Sequence, residues 1–280
     1  EGVTVSTYHG FCREMAELAG IEIDFAKADE PGFWRGIQDE LLAATHSTLP
    51  KFDCLVVDEG QDFKADWYEM LNFFVTDDAA ELWLEDPLQN LRGTDSVELP
   101  DFVTYRESAN FRTPTTIASF IKATLESEFE QRNTLPGLGV VLYDYETPVE
   151  LQRILDSRVH ELTKVGFKPE DIAIVSCRGM QSTALKDIVQ VSKHKVRRFT
   201  GEYNAKDEQI YTDGDLKFDT IFRFKGQQAP AIILVDLDET IKKDDWATGL
   251  LYCAMTRATV RLELVVQKDC PWLGVFQENI

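Results

Sequence analysis

The stretch that most constrains this chain is Cys54-Leu55-Val56-Val57-Asp58-Glu59-Gly60-Gln61-Asp62-Phe63. Its apolar residues stop abruptly on two consecutive carboxylates. A short apolar run bounded by polar residues reads as a buried strand of a parallel sheet. Ligands of open α/β sheets bind at the carboxyl ends of the strands. A strand that delivers Asp-Glu to that edge can set one carboxylate on a hard metal ion and leave the next as a base. The same residues also fit a strand end followed by an acidic cap for a helix over Lys64 to Phe74.

The 280 residues suffice for one large or two ordinary domains. A hydrophobic content of 44% excludes a disordered chain. No apolar run approaches a membrane span and no signal peptide is visible. Cys12, Cys54, Cys177, Cys253 and Cys270 form no Cys-x-x-Cys pair, and several lie in apolar runs. Buried free thiols in a reducing cytoplasm are expected rather than disulfides or zinc ligands. The net charge of −20 argues against a general electrostatic grip on nucleic acid, though a local basic groove stays open. The chain starts at Glu1 with a strand-like Val3-Thr4-Val5-Ser6 almost at once, which reads as a piece excised from a longer protein.

Taken in order, a strand over Val3 to Thr7 leads through Thr7-Tyr8-His9-Gly10-Phe11 into a helix carrying Phe11, Met15 and Leu18, ended by Gly20. That junction is read as a core aromatic with a helix cap, or as a loop offering Thr7, Tyr8 and His9 to a ligand. A helix from Gly32 to Thr45 with a stripe of Phe33, Trp34, Ile37, Leu41 and Leu42 follows. After the central strand come a helix, a strand over Ala80 to Leu84, and Glu85-Asp86-Pro87-Leu88-Gln89 at its end. Phe102 to Tyr105 reads as a strand. Thr113 and Pro114 open a helix to about Glu128, with Arg112 beside it as a candidate anion ligand. Leu138 to Tyr145 and Asp171 to Ser176 read as strands, Pro148 to Val165 and Gln181 to Val191 as helices. Lys193 to Arg198 is the basic run, read more readily as a solvated strand edge than as a nucleic-acid contact. Gly201 to Leu216 is read as loop. Asp219 to Pro230 joins two strand-like pieces, Trp246 to Met255 is a helix, and Val260 to Val266 closes a parallel, doubly wound α/β sheet.

In this order the segments resemble the UvrD/Rep-type superfamily 1 DNA helicases over nearly the whole chain. Thr7 to Phe11 is similar to the family's early motif that contacts single strands, and Val57 to Asp62 to its Walker B motif. Asp86-Pro87-Leu88-Gln89 resembles the third motif, Asn110-Phe111-Arg112-Thr113 the fourth, Thr220 to Pro230 the fifth and Leu251 to Ala258 the sixth. The resemblance implies P-loop NTPase architecture: two RecA-like lobes of parallel sheet and flanking helices, with ATP and Mg²⁺ between them. Residues 1–105 would be the later part of the first lobe and residues 106–280 the second. It implies that Asp58 holds Mg²⁺, Glu59 activates water and Gln89 senses the γ-phosphate. Arg112 and Arg257 would reach that phosphate from the second lobe. Gln61, Gly226 and Gln228 would line the nucleotide site, and Thr7, Tyr8, His9 and Phe222 would face DNA. The parent would be an ATP-dependent helicase or translocase on single-stranded or partly duplex DNA.

The sequence departs from the family at several points. No Gly-Lys pair occurs in it, so it holds no glycine-rich phosphate loop, and the 280 residues alone are expected to be inactive. Phe222 stands where the family has His, Gln228 where it has Glu, and Glu85 where it has Gly. Asn90-Leu91 replaces an aromatic pair that stacks on bases. Two rivals keep the same architecture: an ATPase that does not unwind, and a pseudo-helicase that serves as a binding module.

Overall fold

The computed structural model describes residues 2–24, 27–28, 30–44, 49–203 and 209–280, apart from the side chain of Tyr203. The chain divides into two compact units, Glu1–Val103 and Thr104–Ile280.

In the first unit, Thr7 caps helix α1 (Tyr8–Ala19) by accepting the Gly10 N–H, and Gly20 ends it at φ 75°. That left-handed value is one that glycine adopts without steric cost. Helix α2 (Phe33–Ala43), strand β1 (Phe52–Val57), helix α3 (Ala65–Asn72) and strand β2 (Val75–Trp83) follow. β1 and β2 pair in parallel. Tyr8, Cys12, Met15, Ile37, Leu41, Val57, Met70 and Phe74 form the core, with Trp34, Phe63, Trp67 and Trp83 packed around it.

Several expectations are corrected here. β1 is not buried: Leu55 and Val57 join the helices' core, but Cys54 is exposed and Val56 is 56% exposed. The reason is that β1 pairs only with β2 among the described residues, and the three helices pack on one face. Residues 3–7 form no strand; Val3 and Val5 are exposed. Leu18 and Leu42 also face solvent. Thr45, expected at the end of α2, lies outside the described residues.

The second unit begins with strand β3 (Ala109–Asn110), helix α4 (Thr115–Leu125), strand β4 (Glu130–Gln131), strand β5 (Val140–Tyr145), helix α5 (Pro148–Lys164) and strand β6 (Ile172–Ser176). Strands β7 (Gln190–Val191), β8 (His194–Arg197), β9 (Phe199–Tyr203), β10 (Gln209–Tyr211) and β11 (Leu216–Thr220) come next. Helix α6 (Ile221–Phe224), strand β12 (Ala229–Leu237), helix α7 (Asp245–Met255), strand β13 (Ala258–Gln267) and helix α8 (Leu273–Asn279) complete it. The large sheet has the order β5-β13-β12-β6-β11-β8-β7. Every pair is parallel except β7–β8. The unit is therefore mixed α/β: helix α5 connects β5 to β6 and α7 connects β12 to β13, whereas β8 reaches its parallel neighbour β11 through β9 and β10.

α5 starts with a capping box in which Thr147 and Glu150 exchange hydrogen bonds, with Pro148 in the first turn. Its Leu151, Leu155, Val159 and Leu162 pack on Ile172, Ile174, Phe218, Ile233 and Val265. α4 packs against α7 and α8; α4 and α8 lie on β5, α4 and α7 on β13, and α7 also on β12. All five β6 residues are buried, so both faces of this sheet are covered. Glu263 of β13 is fully buried and takes a two-pronged hydrogen bond from Arg158 of α5, at 2.9 and 3.0 Å. That bond holds the Arg158 guanidinium above its ordinary range, and Arg261 adds a contact to Glu263 at 3.2 Å.

Residues 181–189 form turns rather than the expected helix. Buried Asp236 accepts hydrogen bonds from the Thr183 hydroxyl and the Ala184 N–H at 2.6 and 3.1 Å, which commits those groups to β12 instead of to a helical ladder. The expected strand at Phe102 to Tyr105 is absent, with Val103 99% exposed. Gly201 to Leu216 is less loop than expected, since β10 lies within it and Leu216 begins buried β11. The basic run lies on β8, inside the edge strand β7 rather than at the edge.

Candidate functional site

The carboxyl ends of β1 and β2 gather the polar residues that follow each strand. β1 ends at Val57, and Glu59 then turns the backbone through φ 56°, a left-handed value for a non-glycine residue. Such a conformation costs about 1 kcal/mol or more and persists where its surroundings fix it. Here Glu59's N–H donates to Asp58 Oδ1 at 3.0 Å. Next, the Gly60 N–H donates to Leu84 O at 2.8 Å, which ties the turn to the end of β2. Gly60 has to be small: a Cβ there would lie 2.2 Å from Trp83 Nε1.

A chain of side chains crosses between the two strand ends. Gln61 is buried; its Nε2 donates to Glu59 Oε2 at 2.7 Å and its Oε1 accepts the Asp86 N–H at 2.9 Å. Asp86 caps the short turn Pro87–Gln89 through Oδ1, and its Oδ2 accepts from Gln89 Nε2 at 2.7 Å. Glu59, Gln61, Asp86 and Gln89 are thus one linked unit. The structure brings together four expected residues, Asp58, Glu59, Gln61 and Gln89. It adds Asp86, which was not singled out, although an Asp before Pro is a usable turn-capping signal.

Asp58 is an exposed carboxylate at this edge. Among the described residues no three His, Cys, Asp or Glu side chains cluster as a metal cage. A single carboxylate suits Mg²⁺, which keeps several waters and takes substrate phosphate oxygens as its other ligands. The donor set therefore fits the metal-and-water side of a phosphate site.

The expected DNA-facing residues of this unit are placed differently from one another. Thr7 is exposed and spends its hydroxyl on the α1 cap. Tyr8 is corrected to a core residue: it is 7% exposed and stacks on Trp67 with centroids 4.2 Å apart and planes at 6°. Burial raises its phenol far above the ordinary range. His9 is partly buried against Trp34, at 4.2 Å, and burial lowers its pKa, with Arg92 and Lys64 adding to the effect.

In the second unit, Arg257 follows α7 and is 3% exposed. Its Nε donates to Cys253 O at 3.0 Å and its Nη1 to Gln227 O at 3.5 Å, while its own carbonyl accepts the Ala229 N–H. The turn Gly226 to Gln228 is thereby fastened to the end of α7. Gly226 has φ 77°, and Gln228 is exposed. Arg257 is part of the core of its unit, where the guanidinium satisfies buried carbonyls. Arg112 is exposed beside a turn that Asn110 organises by accepting the Arg112 and Thr113 N–H groups. Phe222 is 36% exposed and lines an open cavity of about 430 Å³ with Arg178, Ser182, Thr240, Ile241 and Trp246.

Residues 215–265 match the UvrD-like helicase C-terminal domain family. That segment contains the fifth- and sixth-motif residues, so the resemblance to UvrD-type helicases drawn from motif order stands on it. Among solved structures, the C-terminal domain of a possible DNA helicase from Lactobacillus plantarum WCFS1 is similar at 18% identity and a TM-score of 0.40, covering 59% of this chain and 93% of that one. No curated protein matches the chain. Among the described residues no helix is long and apolar enough to cross a membrane.

Proposed function

We propose that this chain is the part of an ATP-dependent, UvrD-type DNA helicase or translocase that holds the water-activating site and the second motor lobe. On this reading residues 1–105 belong to a first RecA-like lobe and residues 106–280 form the second, in a cytoplasmic parent protein. The observation that carries it is the linked Glu59–Gln61–Asp86–Gln89 unit at two adjacent parallel strand ends. The family match over the Gly226–Gln228 turn and Arg257 supports it independently.

Bound ATP and Mg²⁺ would supply the phosphoryl group and neutralise its charge. Asp58 would hold the metal ion. Glu59, oriented by Gln61, would accept the proton of the attacking water. Gln89, held by Asp86, would report the γ-phosphate to the same carboxylate through the shared hydrogen bonds. Arg112 and Arg257 would meet developing negative charge from the second unit, with Gly226 and Gln228 beside the nucleotide. Thr7, His9 and Phe222 would lie toward the DNA.

Glu59→Gln in the full-length protein should remove DNA-stimulated ATP turnover by orders of magnitude while leaving thermal stability within about 0.5 kcal/mol. Arg257→Lys should also remove turnover, since an arginine finger is worth about 10³ to 10⁵ in rate. Unlike Glu59→Gln it should lower stability, because Arg257 fastens a buried turn. Near-normal turnover in both variants would defeat the motor reading. The replacement of a base-stacking pair by Asn90-Leu91 favours a second reading, a binding module without turnover. That reading wins if the full-length wild type hydrolyses no ATP yet holds a partner that both variants also hold.

A further inference from the structure

In a chain of net charge −20, positive charge is concentrated in Lys193-His194-Lys195-Val196-Arg197-Arg198. The structure sets this run along β8 and up to the start of β9, beside the β9–β10 pair. Val196 is buried while its neighbours Lys195 and Arg197 are exposed, as strand alternation requires. Two aromatic rings stand next to the run. The Arg197 guanidinium lies 4.5 Å from the Tyr211 ring centroid, and Arg223 lies 3.7 Å from that of Phe199. The rings themselves are 6.1 Å apart. Two guanidinium–ring stacks therefore lie side by side.

The nearby acids divide unevenly over these cations. Asp215 faces His194 at 3.2 Å, Asp213 faces Lys195 at 3.7 Å, and Asp219 holds Arg223 at 3.2 Å. Lys193, Arg197 and Arg198 have no acidic partner among the described residues. A guanidinium stacked on a ring keeps its N–H fork in the plane, available to a phosphate, and loses less rotamer freedom on binding. Aromatic support under the unpaired Arg197, with Lys193 and Arg198 beside it, is the composition of a surface that follows a nucleic-acid backbone.

We propose that β8 and the β9–β10 pair form a docking surface for a DNA strand. Lys193, Arg197 and Arg198 neutralise its phosphates, and Tyr211, itself set against Phe199, holds Arg197 ready. The choice of DNA among polyanions rests on the helicase reading above. The surface itself rests on this cluster alone.

The test uses the full-length protein and fluorescently labelled oligo-thymidylate over a salt series. Combined Lys193→Ala, Arg197→Ala and Arg198→Ala should weaken binding at least tenfold at low salt. It should also flatten the plot of log K against log salt by about 2, because each single-strand phosphate left without its cation lowers the slope by about 0.7. Tyr211→Leu should weaken binding with the slope unchanged, because it removes the support and no charge. Lys164→Ala, a charge removed at the end of α5, should leave both unchanged. DNA-independent ATP turnover should persist in the triple variant. If the triple variant binds oligo-thymidylate with wild-type affinity and slope, the proposal is overturned, even where Glu59→Gln still abolishes turnover and the motor reading stands. If the wild type lacks turnover and the triple variant nevertheless loses the slope, the surface is upheld and the motor reading falls. Loss of poly-glutamate binding with oligo-thymidylate binding intact would assign the patch to an acidic protein and overturn the proposal.

Discussion

Glu59 and Asp236 share an unusual backbone and use it in opposite ways. Both are carboxylates in the left-handed region, at φ 56° and 58°. Asp236 is 1% exposed. It accepts from the Ser176 hydroxyl at 2.5 Å, the Thr183 hydroxyl at 2.6 Å and the Ala184 N–H at 3.1 Å. Its strain is offset by three donors of its own fold, and its work is to fasten the segment after β6 to β12. Glu59 is partly exposed, at the end of a strand whose alternate positions face solvent. Its carboxylate is oriented by Gln61 and stays at an open edge. The same backbone strain therefore accompanies two different surroundings, and what separates the two carboxylates is whether the fold encloses the group.

The two strands leading to such sites differ in the same way. β1 and β6 have similar apolar runs, yet Val56 is 56% exposed and Ile174 is fully buried. The second unit uses a seven-stranded sheet covered on both faces, whereas the first offers two strands with one face bare.

The comparison can be broken by mutation. Arg158→Ala would leave Glu263 buried without its bidentate partner, and it should cost about 3 to 5 kcal/mol in urea unfolding. A change at the open edge such as Glu59→Gln should cost almost nothing, so similar losses in the two would erase the distinction. Asp236→Ala strips three buried donors and should cost roughly 3 kcal/mol, at about 1 kcal/mol or more for each group left unsatisfied. Hydrogen exchange should then rise at residues 177–185. Ile174→Ala should cost about 2 to 5 kcal/mol while Val56→Ala stays within about 0.5 kcal/mol. Equal melting shifts would show that the β1 face is covered as well.

The smallest effect is a pH dependence in the first unit. Burial depresses the His9 pKa below its ordinary 6.5, so protonation favours the unfolded chain. The contribution is fully present above the unfolded value, and it is lost as pH falls from about 6.5 through the lower folded value. Thermal midpoints should drop over that window, and His9→Gln should flatten that part of the profile. A His9→Gln profile parallel to wild type would place the histidine in solvent.

The sequence by itself determined many of the segments that become strands and helices, because apolar period, caps and glycines act locally. Thr7 and Gly20 mark the ends of α1, Thr147-Pro148 opens α5, and the runs before Asp58 and Ser176 form strands. It also determined the family resemblance, since motif order is a property of the chain. Local pattern failed at 181–189, where Thr183 and Ala184 bond to a carboxylate more than fifty residues away. The tertiary structure alone decided that Tyr8 lies in the core and that Arg257 is buried against backbone carbonyls. It alone decided that Asp86 joins Gln61 to Gln89, and that Arg197 and Arg223 rest on rings from β10 and β9. Each of these depends on burial or on contact between residues distant in sequence, and an amino-acid type carries neither until neighbouring elements pack around it.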